Sequence, residues 1–415
     1  MSKEILIENF KENSIFDKKI LVIGLGYIGL PTAALLASRG YDVHGVDIVQ
    51  STVDTINRGE IHIVEPELDA FVKEVVLKTK KLKASTNYIE ADIFIITVPT
   101  PFHEGFVPNI DYIISATKSI APLLKDGDMI ILESTSPIGT TDKIEGLLQD
   151  EGVDTSKLFI SHCPERVLPG KIMCELVEND RIVGGTTIEA TKITAEFYKT
   201  FVTGEVLETD AKTAEMAKLT ENSYRDTNIA FANELSILCD KFGIDIWELI
   251  KLTNRHPRVN VLQPGAGVGG HCIAVDPWFI VHAGGEDAKM IRTAREVNTY
   301  KTEWVIEKIK NEILQFELKH NRKAKVACMG LAFKPNIDDL RESPALIITQ
   351  RLIAEGIEVL AVEPNIKEFE EFEVYNYKEA LGMADIVTFL VAHREFSNLN
   401  IQTNLDFCGV LSYNY

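Results

Sequence analysis

A glycine-rich turn between a buried strand and a helix restricts the fold of this chain more than any other feature. Residues 19–24 form an apolar run typical of a short buried strand, and the turn Gly24-Leu-Gly26-Tyr-Ile-Gly29 follows directly. A helical stretch then leads to a second strand that ends at Asp47. In such a turn the first glycine makes the bend, the second admits a pyrophosphate and the third allows close helix–strand packing. This order predicts a dinucleotide-binding Rossmann domain.

Asp47 indicates which dinucleotide the turn holds. It stands about 20 residues after the first glycine, where a carboxylate bonds the adenosine ribose hydroxyls. The same charge repels a 2′-phosphate. The sequence therefore predicts NAD, not NADP, as the cofactor.

Two later strands end in threonines that are candidates for the cofactor cleft. Residues 92–98 and 129–132 are typical of buried strands, and Thr100 and Thr135 follow them. Ligands of open α/β sheets lie beyond the carboxyl ends of the strands. A helix N-cap is an equally natural role for a threonine in this position.

Composition indicates a soluble protein of several domains. The chain has 415 residues, of which 45% are hydrophobic and 25% charged, so we expect two or three globular domains. The net charge of −19 argues against a nucleic-acid partner. Six scattered cysteines without a CxxC pair indicate free thiols in a reducing compartment.

Two segments bear on the cellular location. Residues 1–8 alternate charges too closely for a signal peptide. Residues 20–37 carry no charge over 18 positions, near the length of a membrane span, but glycines and Pro31 divide them into a strand and the start of a helix. We therefore expect a cytoplasmic protein that has no membrane partner.

A second glycine-rich segment contains a candidate nucleophile. Cys272 follows four glycines, at positions 265, 267, 269 and 270, and Asp276 lies four residues further on. Glycines let a backbone approach a ligand closely. If Cys272 opens a helix, Asp276 shares its face one turn later, and a thiol at a helix N-terminus tends towards the reactive thiolate. A buried, inert cysteine is the alternative.

The region ahead of this segment is predicted to be helical. Residues 209–243 contain few helix breakers and suggest one long helix or two stacked ones. Lys218, Asn222 and Arg225 share one helical face, either as a functional group or as a solvated polar surface. Residues 254–258 then enter the glycine segment and are expected to bring His256 and Arg258 towards the thiol.

A proline-containing loop and a second α/β region complete the pattern. Residues 162–170 contain two prolines and a glycine and are expected to form a rigid loop, whose Glu165 and Arg166 either reach a ligand or pair with each other. A charged stretch at 301–325 is interpreted as a separator. After it, strands at 325–330, 357–362 and 385–391 and a helix at 343–355 predict a second Rossmann-like domain, without GxGxxG. Its loop cations Lys334 and Arg341 suit a phosphate.

Seven segments together resemble the UDP-glucose/GDP-mannose dehydrogenase family. They are residues 61–66 (Ile-His-Ile-Val-Glu-Pro), 98–102, 163–170, 218–222, 254–259, 269–279 and 330–344. The resemblance implies an α/β fold with an N-terminal Rossmann NAD domain, a central helical dimerisation region and a C-terminal Rossmann-like nucleotide-sugar domain. We expect these domains at residues 1–208, 209–310 and 311–415, and a homodimer or higher homo-oligomer.

The family resemblance also implies a reaction. The sugar C6 alcohol is oxidised twice, to a carboxylate, with two NAD per sugar. Cys272 attacks the intermediate aldehyde to give a thiohemiacetal, and a second oxidation leaves a thioester for water to cleave. Lys218 stabilises the oxyanion or exchanges its proton, Asn222 is a neutral donor beside it, and Asp276 orients or helps to ionise the groups around the thiol.

The resemblance assigns two sets of binding residues. Those implied to contact NAD, beside Gly24, Gly26 and Gly29, are Tyr27, Ile28, Asp47, Thr100, Thr135 and Arg341. Those implied to hold the UDP-sugar are Glu165, Arg166, Val167, Lys218, Asn222, Arg225, His256, Arg258, Gly269, Phe333 and Lys334.

Two departures from the family pattern matter. Pro169 replaces a glutamate of the UDP-glucose branch, as it does in the amino-sugar branch, so we expect UDP-N-acetyl-D-mannosamine as the substrate, for surface polysaccharide synthesis. The water-activating group then stays open, with Glu165 as a candidate. Cys408 stands where the family carries a basic residue. Loss of that contact costs about 1–3 kcal/mol, or roughly tenfold in affinity.

Three alternatives remain open from the sequence. The first is the C2 epimer UDP-N-acetylglucosamine as substrate. The second is a sugar-nucleotide sensor that keeps the fold without turnover, although binding alone needs no reactive thiol. The third is a hydroxyacid dehydrogenase, which shares the cofactor domain and stops after one hydride transfer.

Overall fold

The computed structural model describes residues 17–270 and 272–411. The prediction that residues 1–8 do not form a signal peptide concerns residues outside this description. The chain forms two compact units, Met1–Leu219 and Thr220–Tyr415. The predicted division at 208/209 and 310/311 stays a prediction.

An eight-stranded sheet forms the centre of the first unit. Its order is β10-β9-β8-β7-β4-β1-β2-β3, and every neighbouring pair is parallel except β8 and β9. The strands are β1 (Lys19–Ile23), β2 (Asp42–Val46), β3 (Leu82–Ser85), β4 (Ile93–Ile96), β7 (Met129–Leu132), β8 (Phe159–His162), β9 (Arg181–Gly185) and β10 (Val206–Asp210). A small antiparallel pair is formed by β5 (Phe102–His103) and β6 (Val107–Pro108).

Helices of the first unit connect these strands. They are α1 (Gly29–Ser38), α2 (Gln50–Asn57), α3 (Leu68–Lys73), which continues as a π-helix (Glu74–Lys78), α4 (Asp111–Ile120), α5 (Thr140–Asp150), α6 (Ile172–Glu178) and α7 (Ile188–Tyr198). Short 3-10 helices are Glu104–Phe106, Ala121–Leu123 and Thr155–Lys157.

The sequence of β1 explains why the sheet is covered on both sides. Ile20 and Val22 pack in one hydrophobic core, whereas Leu21 and Ile23 pack in another. Because successive side chains of a strand point to opposite faces, a wholly apolar strand requires two covered faces. The order β3-β2-β1-β4-β7-β8 is that of a doubly wound dinucleotide fold, so the predicted Rossmann domain is confirmed.

The uncharged run at 20–37 does not form one helix. It is divided between β1 and α1, as the sequence predicts. Within the described residues, no helix combines the length and apolarity needed to cross a membrane.

The second unit contains long helices and a three-stranded parallel sheet. The helices are α8 (Ala211–Phe242), which begins in the first unit, α9 (Ile246–Thr253), α10 (Asp276–Gly284), α11 (Lys289–His320), α12 (Pro344–Ala354) and α13 (Tyr377–Met383). The strands are β11 (Lys325–Met329), β12 (Glu358–Val362) and β13 (Ile386–Phe389), in the order β12-β11-β13, and short 3-10 helices are Gly285–Asp287 and Arg394–Phe396. The predicted second α/β domain is confirmed.

Buried polar side chains join α8 to α11. Arg295 forms an ion pair with Asp226 at 2.6 Å, and the amide of Asn298 donates to the same carboxylate at 2.8 Å. About two helical turns further along α8, the amide of Asn233 donates to Asn298 at 2.9 Å. Because an unpaired buried polar group is costly, these bonds favour one register of the two 32-residue helices.

The interpretation of 301–325 as a charged separator is wrong. Most of that stretch belongs to α11, which runs from Lys289 to His320. Lys301 is buried inside the unit and donates to Ser236 of α8 at 2.7 Å. The charge-rich composition arises because the outer face of α11 is solvated while Val305, Ile306 and Ile309 are buried.

Candidate active site

The glycine turn of the first unit has the geometry that its three glycines predict. Gly24 has a φ of +90°, and a Cβ at Gly29 would overlap the carbonyl oxygen of Gly24. A Cβ at Gly26 would meet nothing within 4 Å. The first glycine therefore makes the bend, the third brings α1 against the turn, and the second leaves open space in front of it. Tyr27 is exposed, and Ile28 lies at the N-terminal end of α1.

Asp47 stabilises the glycine turn directly. One oxygen of its carboxylate accepts the N–H of Leu25 at 2.9 Å, and the other accepts the N–H of Val49 at 2.9 Å. Each carboxylate oxygen can accept a second hydrogen bond. The arrangement is compatible with the expected ribose contact and adds a role that the sequence did not reveal.

Thr100 and Thr135 connect two loops at the carboxyl ends of the strands. The Thr100 hydroxyl donates to the carbonyl oxygen of Thr135 at 2.6 Å. The helical segments that follow have His103, Ile110 and Gly139 at their N-caps, so neither threonine is an N-cap and that alternative is wrong. Contact with the cofactor stays a prediction for both.

Glu165 pairs with an arginine that sequence reasoning missed. Its carboxylate forms an ion pair with Arg181 at 2.6 Å, and its other oxygen accepts the N–H of Arg166 at 2.6 Å. The guanidinium of Arg166 donates to the carbonyl of Asp180 at 3.1 Å, and Val167 packs against the core. The sequence signal that could have revealed Arg181 is its position as the one charged residue of the strand Arg-Ile-Val-Gly-Gly.

Lys218 lies close to a buried histidine at the end of β8. Burial, with a smaller contribution from the positive charge of Lys218, lowers the pKa of His162 to about 3. His162 is therefore neutral at pH 7. The interaction places the Lys218 ammonium near the carboxyl end of a sheet strand in the first unit, where ligands of such sheets bind.

Cys272 is an exposed thiol in a turn before α10. Its carbonyl oxygen accepts the N–H groups of Val275 at 3.0 Å and Asp276 at 2.9 Å. The helix itself begins at Asp276, with Pro277 in its first turn, a position that proline favours. The prediction that Cys272 opens a helix is therefore wrong by one turn. The alternative of a buried cysteine is also wrong, because the residue is exposed; the reactivity of its thiol stays a prediction.

Asp276 is held by one of the predicted helical residues. It is buried, and the amide of Asn222 donates to its carboxylate at 2.5 Å. Lys218 precedes Asn222 on α8 by one turn, and Arg225 follows it and is exposed. The solvated-face alternative therefore fits Arg225 but not Asn222.

The glycine segment is packed tightly inside the second unit. Cβ atoms at Gly267, Gly269 and Gly270 would overlap, respectively, the hydroxyl of Thr302, the carbonyl of Glu342 and the ring of Phe333. The N–H of Gly270 also donates to the carbonyl of Arg341 at 3.1 Å. These glycines are thus required by contacts within the protein; their closeness to a ligand stays a prediction.

A cavity of ≈ 220 Å³ lies beside this segment. It is lined by residues of the glycine segment together with Phe333, Lys334 and Cys408. The Asp406 carboxylate accepts N–H groups of residues 408, 409, 410 and 411, which fixes a turn around Cys408. Cys408 therefore shares a cavity with Lys334, and its replacement of a basic family residue stays a prediction.

The remaining predicted residues lie on loops of the second unit. Arg341 forms an ion pair with Asp339 at 2.6 Å within its own loop. His256 and Arg258 are exposed between α9 and the glycine segment, and the N–H of Arg258 donates to the His256 ring at 3.3 Å. Their expected approach to the thiol stays a prediction.

The chain belongs to the UDP-glucose/GDP-mannose dehydrogenase family. It matches the family's NAD binding domain over residues 18–202, its central domain over 212–300 and its UDP binding domain over 327–408. It is therefore an NAD-dependent dehydrogenase of nucleotide sugars, as the sequence predicts.

Individual relatives are similar over nearly the whole chain. A UDP-N-acetyl-D-mannosamine dehydrogenase of Campylobacter jejuni is 55% identical, covering 94% of this chain and 99% of the relative. An NDP-N-acetyl-D-galactosaminuronic acid dehydrogenase of Ralstonia solanacearum is 52% identical, with 92% of each covered. The solved UDP-N-acetyl-mannosamine dehydrogenase from S. aureus is 45% identical, with a TM-score of 0.83 over 92% of this chain and 90% of that one.

Proposed function

We propose that this chain oxidises UDP-N-acetyl-D-mannosamine at C6 to UDP-N-acetyl-D-mannosaminuronate, using two NAD per sugar. The observation that carries the proposal is the exposed thiol of Cys272 one turn ahead of Asp276, whose buried carboxylate is held by Asn222. A dehydrogenase that stops at an aldehyde or ketone needs no such nucleophile. The names of several similar proteins support the sugar.

Cys272 has the covalent role in this proposal. Its sulfur adds to the C6 aldehyde, so that a C–S bond forms and the carbonyl oxygen takes a proton. NAD, held by the glycine turn and Asp47, would supply the oxidant for both oxidations by accepting a hydride from C6. Loss of the second hydride converts the thiohemiacetal to a thioester, and water then cleaves the C–S bond to release acid and thiol. Lys218 is the cation assigned to the oxyanion.

Binding roles are proposed separately for the two units. In the first unit, the glycine turn, Tyr27, Ile28, Asp47, Thr100 and Thr135 hold NAD, and Glu165, Arg166 and Val167 belong to the substrate loop. In the second unit, Arg225, His256, Arg258, Gly269, Phe333 and Lys334 hold the nucleotide sugar. Arg341 contacts NAD if it exchanges its ion pair with Asp339.

A galacto-configured amino sugar is the second candidate substrate. Two Ralstonia relatives that are 52% identical carry the name NDP-N-acetyl-D-galactosaminuronic acid dehydrogenase. A difference of a few per cent in identity does not decide one sugar stereocentre. The two candidates share the same chemistry at C6.

A substrate panel tests the proposal. We expect kcat/KM for UDP-N-acetyl-D-mannosamine to exceed the values for UDP-N-acetylglucosamine, UDP-N-acetylgalactosamine and UDP-glucose by at least about tenfold, which corresponds to about 1.4 kcal/mol. A higher value for the galacto sugar would replace the first candidate by the second. Equal or reversed preference between the two C2 epimers would contradict the assignment, and no NADH with any sugar would favour the sensor alternative.

A homodimer is proposed from an exposed apolar stripe on α8. Tyr224, Phe231, Leu238 and Phe242 are all exposed and recur at helical spacing along one face. A stripe of this kind is typical of an interface, and we assign it to a second copy of the chain.

A substitution in this stripe tests the dimer. Phe231→Glu is expected to halve the mass measured by light scattering, whereas Leu318→Glu, at an exposed position of α11, should leave the mass unchanged. Equal masses for both variants would exclude this face.

A cytoplasmic location is proposed as well. All six cysteines lie within the described residues, and none of them forms a disulfide bond, as the sequence predicts. Free thiols persist in a reducing compartment. Exposed Cys174 and Cys272 would be vulnerable to oxidation elsewhere.

A further inference from the structure

The segment Ile61-His-Ile-Val-Glu-Pro66 has a structural partner that the sequence did not indicate. Glu65 is 4% exposed, although it is charged. One of its oxygens accepts the N–H of Gly170 at 2.8 Å, and the other accepts the N–H of Ile172 at 2.8 Å. Ile63 is buried in the core of the same unit and fixes the segment that carries Glu65. The carboxylate therefore joins this segment to the far end of the loop at 163–171.

Two other glutamates bond the same loop. The Glu165 carboxylate accepts the N–H of Arg166 at 2.6 Å, and the Glu175 carboxylate accepts the N–H of Leu168 at 2.7 Å. With Glu65, these contacts place a carboxylate oxygen on the backbone N–H of residues 166, 168, 170 and 172. Every second backbone N–H from residue 166 to residue 172 thus donates to a carboxylate.

The front of the loop is also connected to a buried cation. Arg181, which is 1% exposed, forms an ion pair with Glu165 and donates to the carbonyl of Leu176 at 3.0 Å. Charge-assisted hydrogen bonds to backbone N–H groups are stronger than neutral ones, and a buried charge that loses its partner is costly. The loop is therefore held at both ends by contacts within the protein.

An ordered loop has an advantage for binding. Fixing a flexible loop when the ligand arrives subtracts its ordering entropy from the affinity, whereas a loop that is already ordered avoids this loss. Arg166 and Val167, which we assign to the nucleotide sugar, lie between the Arg181 contact and the Glu65 contact. Disturbing either end is expected to displace them.

We propose that Glu65 is a positioning residue for nucleotide-sugar binding, acting through the backbone of the loop at 163–171. This inference rests on the proposed function, because the loop's contact with the sugar nucleotide is part of it. Glu65 itself does not touch the substrate. It gives the segment at 61–66 a role in the reaction.

Two variants of Glu65 and one matched control test the proposal. Glu65→Gln replaces one acceptor by an amide NH2 that faces a donor, and Glu65→Asp keeps the charge with a shorter reach. Asp128→Asn is the control, because Asp128 is also a buried carboxylate that accepts one backbone N–H, from Lys125 at 2.7 Å. Asp128 directly precedes β7 and so lies at the amino ends of the strands, whereas the loop at 163–171 follows the carboxyl end of β8.

Steady-state kinetics and hydrogen exchange are the readouts. We expect Glu65→Gln to raise KM for the UDP-sugar by at least about tenfold, with kcat and KM for NAD within about twofold of wild type. The KM of Glu65→Asp for the UDP-sugar should lie between those of wild type and Glu65→Gln. Amides of Gly170 and Ile172 should exchange faster in Glu65→Gln. Asp128→Asn should leave the kinetics and this exchange unchanged.

Three outcomes would overturn the proposal. They are equal kinetic changes in Glu65→Gln and Asp128→Asn, faster loop exchange without a change in KM, and a fall in kcat alone. If Glu65→Gln does not fold, Glu65→Asp decides between the same outcomes. If wild type oxidises no sugar nucleotide, the proposed function fails; the loop proposal is then judged by calorimetric affinity for UDP, which Glu65→Gln should weaken and Asp128→Asn should not.

Discussion

Cys272 combines exposure with a fixed backbone, which is the combination that a covalent nucleophile requires. Its carbonyl accepts two N–H groups of the turn that precedes α10, while its side chain is exposed. A thiol reacts as the thiolate, and exposure lets a substrate reach it. Four residues further along the chain, the buried carboxylate of Asp276 is held by Asn222.

Replacing the thiol should separate binding from turnover. We expect Cys272→Ala to lower acid formation by at least about a thousandfold, while calorimetry still detects NAD and UDP-sugar binding. The matched control is Cys174→Ala, since Cys174 is another exposed thiol. Full activity of Cys272→Ala would refute the covalent route.

Asp47 should determine the choice between the two nicotinamide cofactors. Its charge repels a 2′-phosphate, so Asp47→Asn is expected to reduce the preference for NAD over NADP by at least about tenfold, measured as a ratio of kcat/KM values. Asn still offers one oxygen to the N–H of Leu25, which limits damage to the turn. Asp42→Asn, at the other end of β2, is the control. An unchanged ratio would count against the ribose assignment.

Residue identities were predictable where a local pattern determines them. Gly24, Gly26, Gly29 and Asp47 follow from spacing alone, because the turn needs them at fixed positions. The contacts of Glu65 join it to residues 105 and 107 positions away and leave no periodic signal. Long-range carboxylate contacts of this kind require the structure.

Helices α8 and α11 face each other through a buried polar row that includes a lysine. Burial lowers the pKa of Lys301 from 10.5 to about 7; the charge of Asp240 raises it and that of Lys308 lowers it. Its ammonium lies 3.9 Å from the centre of the Trp304 ring and donates to Ser236. The folded state therefore releases this proton more readily than the unfolded chain does.

The lysine should make stability depend on pH in a defined direction. Between pH 7 and about 10 the unfolded chain binds one more proton than the folded chain at this site, so stability should rise with pH, by at most about 1.4 kcal/mol per unit. Below pH 7 both states are protonated and the contribution is constant. Lys301→Met should remove this rise in urea unfolding curves, whereas Lys289→Met, at an exposed position of α11, should keep it. Parallel pH profiles for wild type and Lys301→Met would contradict the assignment.

Most elements were predictable to within a few residues, and the exceptions have physical reasons. Strand and helix positions around the glycine turn follow from apolar runs bounded by turn residues. The segment at 301–325 was misinterpreted because its charges conceal the apolar stripe of α11. The start of α10 was misplaced by one turn because Pro277, not Cys272, marks it.

At the scale of the whole molecule, the family determines the reaction class and the departures determine what is specific to this chain. All three domain types of the family are present in order. Cys408 is predicted to be such a departure; it shares a cavity with Lys334, and its segment is fixed by Asp406. The whole fold was predictable because each unit carries its own pattern of strands and turns. The identity of the sugar was not predictable from the sequence, because a difference at one stereocentre corresponds to no recognisable motif.

The number of NADH molecules released per UDP-N-acetyl-D-mannosamine is the most direct test of the proposed chemistry. With limiting sugar and excess NAD, the absorbance of NADH at completion gives this ratio. We expect two NADH per sugar, because covalent capture by Cys272 keeps the aldehyde in place for the second oxidation. One NADH per sugar would mean that the reaction stops at the aldehyde and that Cys272 does not have this role.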